Sequence, residues 1–374
     1  MAILAGVLWW RDASRGRPAL PAPHLTGTLV YAARGPAGNG ERLYALDLGS
    51  GRLSRGPLVR EITDLAASSA EPGWLSLLAG RRAYEVRGQR SDQAPVLVAA
   101  GDRLSWTPGA SAVVAQTRER PTNGGCPIST ISVTDVLYGS PHVLYRQREC
   151  SGVLAVGSDQ TGHVYLTLTA SLGSAVYLVG SKGLDLLLPG YGMLSVSPVG
   201  AMIVEPQMPL LGEGPLPSPG AALFWRGRGG VLPIASQGRG LSVERVLAWS
   251  PDGSIAVVLG TMDVTRSLWL VRAGPGEGER VPLRIGPPLP AFLPEDAAGG
   301  PDAAVAADGS IYFSAGGHVF VWQGGHRTLV PLPPGAPEPA GPVAWLRGDN
   351  VATSYVRHPP YWRLWTLPSS VPGG

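Results

Sequence analysis

Cys126 and Cys150 are the residues whose number and placement point most directly to chemistry. They flank a hairpin of two alternating segments, 130–136 and 142–148, that turns at Tyr138, Gly139, Ser140 and Pro141. Symmetric about that turn, they meet at the hairpin's open end, where cross-strand geometry permits a disulfide. Two buried free thiols are the alternative. A bridge would place the chain in an oxidising, extracytoplasmic compartment.

Other reactive residue types lack a supporting pattern. His24, His142, His163, His318, His326 and His358 are scattered without ligand spacing, and no His-Glu-x-x-His, Cys-x-x-Cys or Asp-rich calcium loop occurs. His318 and His358 occupy matching places in adjacent units and are the sole metal hint. No Gly-x-Ser-x-Gly elbow is present. Asp252 and Asp308 stand in Asp-Gly turns, where Asp bonds the local backbone and Gly takes the positive-φ corner. The reading is therefore no catalytic residue, no metal and no cofactor.

The elements that carry these residues form a repeat. A pattern of apolar, aromatic, any and usually apolar residue recurs at Tyr44, Tyr84, Tyr177, Phe224, Trp269, Phe320 and Trp365, with an in-phase copy lacking the aromatic at Ser132. The intervals run from 40 to 51 residues with a mean of about 46. Such a period, with period-2 strands and turn residues between them, signals four-stranded propeller blades. Eight copies predict eight blades, with seven as the alternative. Residues 1–25 read as a short apolar segment plus a Pro-rich linker, and 26–370 as one propeller domain. The last unit supplies a, b and c strands over 343–367 but no clear d strand, and the first lacks a clear a strand. Closure by an N-terminal strand would remove the sheet edges.

Trp249, Ser250, Pro251, Asp252 and Gly253, an apolar strand, and then Ser267, Leu268, Trp269, Leu270 and Val271 resemble the repeat of TolB-like β-propellers. The first unit, from Gly27 through Leu43, Tyr44 and Leu46 to Leu53, fits the same mould. This resemblance implies the fold and an envelope location.

In such a blade the b–c and d–a loops share one face of the ring. The longest loops, 118–127, 206–220 and 287–302, all fall there. Loops on a rigid scaffold are where binding concentrates. Met208, Leu210, Leu211 and Phe292 are candidate apolar anchors for a protein partner. Arg118, Glu119, Arg120, Glu295 and Asp296 are candidates to orient it. Tolerated, locally packed insertions are the bland alternative.

Composition excludes other classes. With 52 Gly, 37 Pro, 44% hydrophobic and 15% charged residues, the chain reads as folded all-β rather than disordered. A net charge of +3 with no basic run beyond Arg81-Arg82 excludes the footprint of a nucleic-acid binder. Residues 1–10 are apolar and end in Trp9-Trp10, but they are shorter than the roughly 20 residues that span a bilayer. They read as part of a membrane anchor, as a peripheral arm or as an extra strand. The expected function is a non-catalytic, envelope-associated scaffold that binds a protein partner through its long-loop face. The alternative is an enzyme or sensor for a sugar, peptide or other small ligand at the central channel. The inner strand ends, read as Leu, Val, Ala and Trp, weigh against that alternative. Oligomeric state is not encoded in any of these features.

Overall fold

The structure is a computed structural model that describes residues 25–34, 40–68, 74–86, 94–121, 124–170, 173–181, 183–207, 220–226, 230–274, 279–290 and 301–346. Among the described residues, the strands form seven four-stranded antiparallel sheets. Each sheet is a blade with strands a to d, from the channel outward. Blade 2 begins at Ile62–Ala67, blade 3 at Arg103–Trp106, blade 4 at Gly152–Ser158, blade 5 at Tyr191–Val196, blade 6 at Ser242–Trp249 and blade 7 at Asp302–Val305. A small hairpin, Ala235–Ser236 with Arg239–Gly240, is inserted between blades 5 and 6.

Blade 1 is built from both ends of the described chain. Its b, c and d strands are Thr28–Arg34, Glu41–Asp47 and Leu53–Val59, and its a strand is Val343–Leu346. Thr28 pairs with Leu346 and Tyr31 with Val343. The expectation of eight blades is therefore corrected to seven. Counting c-strand aromatics treats the C-terminal unit as a new blade, whereas its first strand completes the N-terminal one. The copy at Trp365 lies outside the described residues.

Side-chain alternation explains why this closure holds. Leu29, Tyr31, Ala33 and Val343 pack toward Tyr312, Val319 and Val321 of blade 7. Val30, Ala32, Ala344 and Leu346 pack toward Ile62, Leu65 and Leu77 of blade 2. Neighbouring residues thus serve opposite inter-blade layers, as a period-2 strand requires. Each fully buried Leu or Val there contributes roughly 1.5–3 kcal/mol relative to exposure. The b strands read as apolar runs because both their faces are covered. The repeated aromatics Tyr44, Phe224 and Trp269 are buried in these layers.

Polar side chains stitch consecutive blades at the inner strands, whose backbone is unpaired along the channel edge. Glu41 Oε2 accepts the Ile62 N–H at 2.8 Å, joining blade 1 to blade 2. Thr167 Oγ1 accepts the Met193 N–H at 2.9 Å, joining blade 4 to blade 5. Asp302 Oδ2 accepts the Val343 N–H at 3.1 Å, joining blade 7 to the closing strand. A buried backbone donor left without an acceptor would cost about as much as a lost hydrogen bond.

The turn aspartates are occupied by local bonds. Asp252 Oδ1 accepts from the Ser254 N–H at 3.0 Å and Asp308 Oδ1 from the Ser310 N–H at 2.9 Å. Hydrogen bonds from Ser250 and Ser254 hold the Asp252 carboxyl below its ordinary range.

Candidate functional site

Each a strand starts at a d–a loop, so its first residues mark the loop face of the ring. Asp302 is the first residue of the blade 7 a strand, Asp64 lies on that of blade 2 and Arg245 on that of blade 6. These blades are not all neighbours, yet Asp64 couples electrostatically to both Arg245 and Asp302. Only innermost strands, converging on the axis, bring such residues together. They form a charged cluster at the channel mouth.

Its geometry is specific. Arg245 Nη2 lies 4.0 Å from Asp302 Oδ1 and donates to the Pro301 carbonyl. The Arg245 side chain is 47% exposed, whereas that of Asp302 is 10% exposed. Asp302 also receives the Val343 N–H, and its own N–H donates to Ser314 Oγ at 3.2 Å. Asp64 is half-buried, and its carboxyl accepts from the Leu65 N–H.

Burial pushes the Asp302 carboxyl up to about 7, with Arg245 opposing the shift and Asp64 adding to it. Burial likewise raises Asp64, against the pull of the Leu65 N–H and Arg245. Glu41 and Glu205 are raised by burial as well. Chemically, the cluster offers a half-exposed guanidinium beside two acids that hold their protons above the ordinary carboxylate range, with Asp302 changing charge near neutral pH.

These shifts give a pH dependence of stability. The Asp302 carboxyl binds its proton more tightly in the folded chain than in the unfolded one, where it titrates near about 3.9. Its contribution to stability is therefore fully present below that unfolded value and is lost as pH rises through about 7. The loss between pH 5 and pH 8 is on the order of 2–3 kcal/mol. Thermal melts should show a Tm higher by roughly 5 °C at pH 5 than at pH 8. Asp302→Asn should remove most of that difference.

A second feature of the loop face surrounds the cysteines. Cys126 lies in the b–c loop of blade 3 and Cys150 in the following d–a loop, with Cα atoms 4.7 Å apart and the sulfurs paired as a disulfide. Arg118 Nη2 donates to the carbonyls of Ser151, Glu149 and Cys150 at 3.0, 3.4 and 3.5 Å. Two loops are thereby braced against each other. Glu119 pairs with Arg146 at 3.3 Å, and Arg120 is exposed. Met208, Leu210, Leu211, Phe292, Glu295 and Asp296 lie outside the described residues, as do His358 and the apolar residues 1–10. His318 is exposed, and no group of three metal-ligating side chains occurs among the described residues. None of the described helices is long and apolar enough to cross a membrane.

The sequence reading missed the channel cluster, since it took the inner strand ends to be apolar. One signal was available: Asp64, Arg245 and Asp302 place charge on strands that are innermost in their blades and largely apolar toward their C-terminal ends.

Comparison with known proteins defines the class and nothing narrower. No family model and no curated protein matches the chain. Solved structures do. An oligogalacturonate lyase in complex with manganese matches with TM-score 0.55 at 13% identity, over 81% of this chain and 86% of that one. The propeller domain of the Trilobed protease from Pyrococcus furiosus matches with TM-score 0.53 at 9% identity, over 82% and 95%. TolB from Acinetobacter baumannii matches with TM-score 0.44 at 14% identity, over 92% and 72%. The chain is a β-propeller in fold, and at these identities the likeness to the lyase and the protease domain speaks to fold alone.

Proposed function

We propose that the chain is a non-catalytic scaffold facing the cell envelope, and that it binds a protein partner on its loop face. The braced loop pair of blade 3 carries this reading. A disulfide and an arginine spent on three carbonyls hold two adjacent loops in one arrangement, which lowers the ordering cost of binding. A disulfide also suits an extracytoplasmic compartment. Glu119 and Arg120 beside the brace, with Met208, Leu210, Leu211, Phe292, Glu295 and Asp296 of the long segments 206–220 and 287–302, are the proposed partner contacts. Arg118 serves the brace.

In-cell cross-linking of the tagged protein in its own host tests this. One protein should be recovered with the intact bait and lost when loops 206–220 and 287–302 are shortened. Recovery of nothing specific, or recovery indifferent to the loops, would sink the scaffold reading. A second reading, a channel that binds a small ligand, is favoured by the exposed guanidinium at the mouth.

A further inference from the structure

We propose that Arg245, with Asp302 and Asp64, forms a proton-gated site at the channel mouth for ligands bearing carboxylate groups. The inference deepens the small-ligand reading by naming the ligand class, and it stands apart from any partner on the loop face.

Arg245 carries the binding chemistry. Its side chain is half-exposed, and its hydrogen bond goes to the Pro301 carbonyl. Its remaining N–H donors have no protein acceptor among the described residues. A guanidinium presents its donors as a planar fork that matches a carboxylate. Open donors facing a channel are therefore a carboxylate receptor, provided that the neighbouring acids do not compete.

Asp302 and Asp64 control that competition. The groups facing Asp302 are Arg245 from blade 6, Asp64 from blade 2, the Val343 N–H of the closing strand and Ser314 of its own blade. With both acids ionised, the three side chains sum to one negative charge and Asp302 holds Arg245 electrostatically. With both protonated, the sum is one positive charge and Arg245 is free to accept an anion. Burial raises both carboxyls and carries Asp302 up to about 7, so Asp302 alone releases Arg245 between neutral and mildly acidic pH. The seam survives protonation, because the carbonyl oxygen of a neutral carboxyl still accepts the Val343 N–H.

The test uses the full chain and two capped peptides, acetyl-pentaglutamate amide and acetyl-pentalysine amide. It is read by calorimetry and by the Arg245 Nε–H resonance, assigned with Arg245→Gln. Glutamate side chains remain ionised at pH 5.5, so the probe's own charge changes little. The acidic peptide should bind about tenfold more tightly at pH 5.5 than at pH 8, and should shift the Arg245 resonance. Asp302→Asn should cut that pH dependence to about threefold or less, and Arg245→Gln should abolish binding at both values. If Asp302→Asn fails to fold, Asp64→Asn should tighten binding at pH 8 and carries the same test. Binding that survives Arg245→Gln, or keeps its full pH dependence in a folded Asp302→Asn variant, would overturn the proposal. Binding of the basic peptide alone, with the Arg245 resonance shifted, would overturn the carboxylate assignment while keeping the channel as a ligand site. No shift with either peptide would overturn both.

Discussion

Val343→Asp is expected to abolish the folded ring. Val343 is fully buried in the layer between blades 1 and 7, and its N–H is the donor that Asp302 receives. A carboxylate at this position would be buried without a partner and set beside an existing acid. The cost is several kcal/mol, out of a total stability of about 5–15 kcal/mol for an ordinary domain. Failure of the closing strand also leaves Thr28–Arg34 as an open sheet edge and uncovers Tyr31 and Val30, one on each face. Open edges with apolar side chains aggregate. Val343→Ala should instead fold and melt several degrees lower, because it leaves a small cavity and keeps the pairing. Size-exclusion chromatography and thermal melts of the two variants check this. A soluble Val343→Asp protein with an unchanged Tm would contradict the closure.

Joint replacement of Cys126 and Cys150 by Ser is the second large effect. The bridge closes a loop with a sequence separation of 24 residues. A loop of that size lowers unfolded-state entropy by the equivalent of about 3 kcal/mol. The Tm should fall by roughly 5–10 °C, and reductant should lower the wild type similarly while leaving the double variant unchanged. Arg118→Ala should reproduce a smaller part of the loss, since it releases the carbonyls of Glu149, Cys150 and Ser151. A Tm unchanged in the double variant would show that the loops are held by other contacts.

The strands were legible in the sequence because their alternation is local. Ile255–Met262 and Thr265–Arg272 follow an Asp-Gly turn, and the repeated aromatics mark the c strands in register. Blade number was not legible to the same degree. Circular closure joins Val343–Leu346 to Thr28–Arg34, and nothing in either segment announces the other. A linear count of units therefore runs one too high. The channel cluster failed for a related reason. Asp64, Arg245 and Asp302 come from three blades, one residue each, and none belongs to a local motif. Their meeting is a consequence of ring geometry, so it appears only once the inner strands are placed. The brace was half-visible: the symmetry of Cys126 and Cys150 about a hairpin suggested the bridge, but the role of Arg118 beneath it had no signature in the sequence.

The most direct test of an envelope-facing scaffold is the redox state of Cys126 and Cys150 in protein taken from its own host. Cells would be quenched with acid, free thiols alkylated, and the two cysteine-bearing peptides mapped by mass spectrometry. The expected result is a single linked species containing Cys126 and Cys150, with neither thiol alkylated. Recovery of both cysteines as alkylated thiols would contradict both the oxidising compartment and the braced loop face.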